Sequence, residues 1–315
     1  MKPVISIFEV IHNIGIDYLA EFADIKFAYG ADRKQCLELT SESDAIVIKS
    51  VVQADKELLS NSSRLRVIGR AGTGIDNIDI IEAKKRNVKV LTVPRGNSVS
   101  AAEFTVLQML SFCRRTHEVT NYVNNNDFRR HLMEGVELQN MTVGLVGLGN
   151  VGMLLFERLK AFGCTVLGYD PSPKDRKGFI SNGGIYIESF EQLLPEVDFL
   201  SFHARLTPEN YHMMGERQFQ IVKDGLFLIN CARAGLVDQE ALLKFVNNGK
   251  IAMVALDVLE PEPPFDLHPK EHNYQHKLLK HPNIIVTPHI GGSTIEAQKR
   301  ISISLCKQIK KELLN

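Results

Sequence analysis

The 315-residue sequence has no surplus of charge: 37 Lys and Arg stand against 37 Asp and Glu. Without a global field there is nothing to draw in nucleic acid or an anionic membrane, although local basic positions can still hold a small anion. No apolar run approaches the roughly 18–20 residues of a membrane span. The N-terminus, MKPVISIFEV, has neither a long apolar h-region nor a small-residue cleavage site, so no secretory signal is expected. Cysteine is sparse. Cys36, Cys113, Cys164, Cys231 and Cys306 are odd in number, widely spaced and free of C-x-x-C pairing. That pattern argues against a disulfide framework or a zinc knuckle and for a reducing, cytoplasmic setting. Internal repeats and low-complexity linkers are missing too.

What is present is alternation. The length exceeds one typical core and suits two domains. Over residues 1–95, PVISIF, DAIVIKS, RVIGR and VKVLTV read as strands, with IDYLAEF, ADKELLSN and IIEAKKR helical between them. Such alternation favours a parallel sheet with helices on its faces. Residues 97–123 read as one long helix, capped at Ser98 or Ser100, with Ser100 and Glu103 spaced as a capping box. Its apolar residues exceed one stripe, which implies burial by a second domain or a second subunit and sets the expectation of a homodimer. A second series begins at MTVGLVG and continues through TVLGYD, VDFLSFHA, GLFLINCA, AMVALDVL and NIIVTPHI. A last helix follows, with Ser293 as its cap. Four histidines, His268, His272, His276 and His281, fall in a loop-like stretch within 265–283. A solvated loop fits them better than a metal site, which needs closed ligand geometry; no metal is expected.

The glycine loop Gly147-Leu148-Gly149-Asn150-Val151-Gly152 follows an apolar strand and opens a helical run. The first glycine permits a tight turn, the second lets backbone approach a pyrophosphate, and the third lets helix pack on strand. A plain glycine-rich turn is the alternative, but the context is right on both sides. Asp170 ends the next strand, where a carboxylate can accept from adenosine ribose hydroxyls and would repel a 2′-phosphate. No arginine follows directly, only Pro171-Ser172-Pro173, so NAD is favoured over NADP; a turn aspartate is the bland reading.

Three further motifs, NCARAG, EPEPP and TPHIGG, carry Arg233, Glu262 and His289, each after a strand of the same series. With these in view the chain resembles the D-isomer-specific 2-hydroxyacid dehydrogenases, and within them the D-3-phosphoglycerate dehydrogenase branch. The resemblance runs from about Asp44 to the last helix. It rests on GRAGTGIDNID, GNSVSAAE, GLGNVG, GYDP, NCARAGLVDQEAL, ALDVLEPEPP and TPHIGGST. It implies an α/β fold of two similar doubly wound domains with a cleft between them. A flavodoxin-like substrate domain would span 1–96 plus 288–315, and a Rossmann NAD-binding domain 97–287.

The resemblance also implies roles. Arg233 would bind the substrate carboxylate, His289 would exchange the proton of the reacting hydroxyl, and Glu262 would hydrogen-bond the histidine. Chemistry is consistent with that division: imidazole titrates nearest neutral pH, a carboxylate partner fixes its tautomer, and a planar guanidinium suits a carboxylate. Thr73, Ala204, Cys231, Ala232, Asp257, Gly291 and Gly292 match positions that contact the cofactor, with Asp257 facing its carboxamide. Gly72, Thr73 and Gly74 would offer backbone N–H groups to the substrate carboxylate. At HARLTPEN the chain departs from the pattern, with Arg205 where the family has proline. This leaves contacts there open.

Lys49 and Arg70, ending two strands, are candidates to hold a distal phosphate. They favour oxidation of 3-phospho-D-glycerate, a step of serine biosynthesis in the family. Reduction of glyoxylate, hydroxypyruvate or another 2-keto acid is the alternative. A reading of another class is an NAD-sensing scaffold resembling the family's transcriptional corepressors. The chain is expected to be a short form without the serine-binding regulatory domain of larger relatives.

Overall fold

Strand–helix alternation yields two all-parallel sheets in two units of the chain. The computed structural model describes residues 2–314 apart from Ser172 and Asp266. One unit comprises Met1–Ser98 with Ser293–Asn315, the other Val99–Gly292. The chain therefore switches units after 98 and 292 rather than after 96 and 287. The whole TPHIGG turn, His289 included, belongs with the unit that carries the glycine loop.

The first unit contains β1 (Val4–Ile7), β2 (Asp24–Phe27), β3 (Ala45–Ile48), β4 (Val67–Arg70) and β5 (Lys89–Leu91), ordered β2-β1-β3-β4-β5. All four pairings are parallel, and this is the flavodoxin-like order. VISI and AIVI read as near-continuous apolar runs because both faces of the sheet are covered. One face packs Ile5, Ile7, Val47 and Val67 against Ile301, Leu305 and Ile309 of the C-terminal helix, Ile295–Leu314. That helix also crosses the helix Asn13–Ala20 at close range. A Cβ on Gly15 would stand 2.2 Å from Ser302 Oγ and 2.8 Å from Cys306 Sγ. Ser302 Oγ donates to His12 O at 2.8 Å across the same crossing.

The second unit contains β6 (Thr142–Val146), β7 (Thr165–Tyr169), β8 (Ile185–Tyr186), β9 (Phe199–Phe202), β10 (Leu226–Asn230), β11 (Ile251–Leu256) and β12 (Ile284–Val286). Their order is β12-β11-β10-β9-β6-β7-β8, again all parallel. Sequence order reverses at β6, which pairs with β7 on one side and β9 on the other. Open α/β sheets bind ligands at such a switch point, outside the carboxyl ends of the strands.

Several local expectations are corrected. The stretch 97–123 is two helices, Ser98–Cys113 and Thr116–Asn124, broken at Arg115 with φ +51°. Cys113 O accepts from Val136 N at 2.8 Å, and Arg115 Nη1 donates to Leu132 O at 3.0 Å. The returning 130s segment thus takes a carbonyl that a continuous helix would have used. Ser100 lies inside the first of these helices, not at its cap. At the last helix Thr294, not Ser293, is the cap, its Oγ1 accepting from Ala297 N at 3.2 Å. Strands β2 and β8 and the helix Arg33–Ser41, capped by Asp32 and Gln35, were not apparent from pattern. β2 alternates charge with apolar residues at a sheet edge, where a charged strand is protective but hard to read.

The Gly15 crossing supplies a test. Gly15→Ala improves helix propensity by about 1 kcal/mol, yet overpacking costs typically about 1–3 kcal/mol. We expect a net loss of stability in urea unfolding. A midpoint equal to or above wild type would mean that the two helices separate without cost.

Candidate functional site

In the second unit the residues singled out by motif gather on one edge of the sheet. β12, β11 and β10 are neighbours, so the turns that follow them lie side by side, roughly 10 Å apart from first to last at two strand spacings. Those turns carry His289, then Asp257 and Glu262, then Cys231, Ala232 and Arg233. Continuing along the edge, β9 ends at His203-Ala204, β6 at the glycine loop and β7 at Asp170.

The three glycines of the loop do three different things. Gly147 has φ +101°, and a Cβ there would stand 2.7 Å from Ala204 N and His203 C. Gly152, inside the helix Asn150–Ala161, would put a Cβ 2.1 Å from Gly147 O. Gly149 caps that helix without a side-chain bond, and a Cβ on it would meet nothing within 4 Å. The backbone is therefore bare where a pyrophosphate would approach the helix N-terminus, and Asn150 and Val151 open its first turn. Asp170 Oδ2 accepts from Leu148 N at 2.7 Å, tying the end of β7 to the loop. Asp170 O accepts from Tyr186 Oη at 2.5 Å, and Arg176 stacks on the Tyr186 ring and pairs with Glu188. Beneath the loop, His203 Nε2 and Ser201 Oγ share a 2.8 Å hydrogen bond. The residue keeps some surface, yet its ring is enclosed, and burial pushes the imidazole down to about 4. Where proline was expected, Arg205 is exposed, and its carbonyl accepts from Asn210 Nδ2 at 2.7 Å. Asn210 Oδ1 also accepts from Thr207 N at 2.7 Å, so a side-chain bracket shapes this loop.

The NCARAG turn is braced from within. Asn230, fully buried, donates to Arg233 O at 2.8 Å and accepts from Ala232 N at 3.1 Å, while Arg233 Nη1 donates to Ala232 O at 2.7 Å. Burial pushes the Cys231 thiol up, which disfavours the reactive thiolate.

His289 Nδ1 lies 3.2 Å from Glu262 Oε1, and the Phe265 ring meets the imidazole edge-on at 6.1 Å. His289 itself has φ +56°, a left-handed conformation uncommon outside glycine. Asp257 holds the turn. It is 2% exposed, and its Oδ1 accepts from Thr287 Oγ1 at 2.6 Å and Ile290 N at 2.9 Å. Its Oδ2 accepts from Gly291 N at 2.7 Å. Burial raises its carboxyl above the ordinary range, against the pull of these donors and of His289. A Cβ on Gly291 would stand 2.9 Å from Asp257 Oδ2, so the close approach requires glycine; Gly292 completes the turn. The clamp was not apparent in sequence, where Asp257 read as a carboxamide contact. The histidine-rich stretch proves to be a brace as well. Tyr274 Oη donates to Pro261 O at 2.7 Å and His276 Nε2 to Glu260 O at 3.2 Å, steadying the turn that bears Glu262.

In the first unit, Lys49 follows β3 and Arg70 ends the neighbouring strand β4, both at the carboxyl end. The Arg70 side chain folds back over the next turn. Nη1 lies 1.6 Å from where a Cβ on Gly72 would stand, so a side chain there would displace the guanidinium. Thr73 and Gly74 continue that turn half-buried, with Thr73 Oγ1 donating to Asn97 Oδ1 at 3.2 Å.

Residues 106–291 match the sequence model of the D-isomer specific 2-hydroxyacid dehydrogenase NAD binding domain. The chain is 36% identical over 310 residues to a D-3-phosphoglycerate dehydrogenase of Methanocaldococcus jannaschii, covering 98% of this chain and 57% of that one. It thus spans about half the length of such relatives. A hydroxypyruvate reductase of Thermotoga maritima is 34% identical over 90% of this chain and 89% of its own. A D-lactate dehydrogenase from Aquifex aeolicus, solved with NAD and lactic acid, superposes with a TM-score of 0.89 at 28% identity, over 99% and 95% of the two chains.

The enclosed His203 makes stability pH-dependent. Its folded value lies below the unfolded 6.5, so its contribution is complete above pH 6.5 and is lost as pH falls toward 4. At about 1.4 kcal/mol per unit this amounts to about 3 kcal/mol. Urea unfolding at pH 7 and pH 4.5 is expected to show a smaller acid loss for His203→Gln than for wild type. Equal losses would mean the ring is solvated.

Proposed function

We propose, for a chain that belongs to the D-isomer specific 2-hydroxyacid dehydrogenase family, that it is an NAD-dependent dehydrogenase oxidising 3-phospho-D-glycerate. The observation that carries the substrate choice is the pair of cations, Lys49 and Arg70, at neighbouring strand ends beside the Gly72–Gly74 turn. A phosphate needs such partners; glyoxylate does not. The bare backbone at Gly149 and the Asp170 carboxylate at the end of β7 fit a dinucleotide without a 2′-phosphate. Bound NAD would take the hydride from C2.

The chain's own residues do the rest. Arg233 binds the substrate carboxylate and fixes which face of C2 is presented. With Nδ1–H donated to Glu262, His289 is left with Nε2 bare to accept the hydroxyl proton as C2 is oxidised. In reduction the same nitrogen returns that proton to the carbonyl oxygen. The Asp257 clamp keeps the imidazole in the posture that allows both. Leu107, Val123, Phe128 and Val136 are exposed on the segment around the helix break, and we assign this surface to a second copy of the chain.

A second reading, reduction of hydroxypyruvate, is favoured by one observation. The hydroxypyruvate reductase relative is matched over 89% of its length, whereas the phosphoglycerate dehydrogenase is matched over 57%.

Nicotinamide absorbance across phosphoglycerate, hydroxypyruvate, glyoxylate and lactate decides between them. We expect turnover of 3-phosphoglycerate, and Arg70→Ala should raise its KM at least tenfold. An unchanged KM, with good glyoxylate turnover, overturns the substrate choice. His289→Asn should lower kcat by about 10²–10⁴ with KM little altered, the range for loss of a general acid–base. Arg233→Lys, which keeps charge but loses the fork, should lower kcat/KM by about 10–100-fold. Activity in neither direction with any of these acids would instead favour an NAD-sensing scaffold.

A further inference from the structure

Glu9 follows β1, next to β3 in the sheet, and is not part of any motif used above. Its carboxylate accepts from four consecutive backbone N–H groups of the segment after β3. Oε2 takes Lys49 N at 2.7 Å and Val52 N at 3.2 Å; Oε1 takes Ser50 N and Val51 N, both at 3.1 Å. Successive N–H groups curved toward one point form an anion-binding nest. Here the chain's own carboxylate fills it. The carbonyls of the same segment are held from the other side. Asn77 Nδ2 donates to Lys49 O at 3.2 Å and Val52 O at 2.7 Å, and Arg33 Nη1 to Gln53 O at 2.9 Å.

We propose that Glu9 is a positioning residue for substrate specificity: by filling the nest at residues 49–52 it fixes the backbone from which Lys49 reaches the substrate's distal anionic group. The inference rests on the assignment of Lys49 to that group. Two consequences follow from the chemistry. A nest filled from within cannot take the phosphate, so recognition is left to the side-chain cations. Four donors on two oxygens also require a carboxylate. An amide offers one acceptor oxygen, and its NH2 would face at least two N–H donors.

The test is Glu9→Gln in the full chain, beside Lys49→Ala. By amide hydrogen exchange, Glu9→Gln should speed exchange at residues 49–52 at least tenfold while β1, β3 and β4 keep their protection; unchanged exchange overturns the proposal. In turnover, Glu9→Gln should raise KM for 3-phosphoglycerate about tenfold, with kcat within twofold and KM for glyoxylate unchanged. Equal rises for both acids would mean general loosening and would also overturn it. If Lys49→Ala raises the phosphoglycerate KM and Glu9→Gln does not, only the role of Glu9 fails. If Lys49→Ala has no effect, the assignment of Lys49 fails and this inference with it. Should wild type not turn over phosphoglycerate at all, the substrate choice fails. Exchange at 49–52 then still decides whether Glu9 sets the loop.

Discussion

In an all-parallel sheet every strand delivers its following loop to the same edge, and this constraint gathers the residues singled out by motif within each unit. In the second unit it takes residues from six points between 147 and 291 and lays them along one line, from the His289 turn after β12 to Asp170 after β7. In the first unit it aligns Glu9, Lys49 and Arg70 at the carboxyl ends of β1, β3 and β4. None of these residues is close to the next in sequence. Strand order alone makes them neighbours, and the strands hold that order because their apolar runs are covered on both faces.

Parallel strands place loops but do not shape them, and the shaping is done by buried or half-buried polar side chains that bond to backbone. Asp257 closes the His289 turn, Asn230 the Arg233 turn, Asp170 the glycine loop and Glu9 the Lys49 segment. In each case the acceptor sits at or just beyond a strand end and takes N–H groups that no sheet partner can satisfy. A buried orphan donor costs about 1–3 kcal/mol, so each bracket strongly favours one loop conformation. For His289 the effect is direct: a positive φ is tolerable because three donors of its turn converge on one carboxylate.

This division explains what could be read from the chain beforehand. The strands bearing the site were legible because full burial writes near-continuous apolar runs, and the glycine loop because each missing Cβ answers to a close approach or an open face. Arg233, Glu262 and His289 were singled out through motifs, and the turns that carry them follow three neighbouring strands. The brackets were not legible. Glu9 bonds to residues forty positions away, and nothing local distinguishes it from a surface glutamate. The helix break at Arg115 was hidden for a similar reason, since the competing donor, Val136, arrives from a distant loop. Propensity sees only neighbours in sequence, and these features are settled by neighbours in space.

Two histidines follow strands of the second unit, and their surroundings are opposite in kind. His203 is enclosed beneath the glycine loop, with Ser201 as its hydrogen-bond partner, and desolvation holds it neutral. An imidazole so placed packs and bonds but cannot exchange protons near neutral pH. His289 keeps about a third of its side chain exposed (30%) and has a carboxylate at Nδ1. The ring is thus beside a counter-charge and partly open to solvent. The partner carboxylate and the access, rather than the imidazole alone, set His289 apart from His203, and on that difference the proton-transfer role is proposed for it.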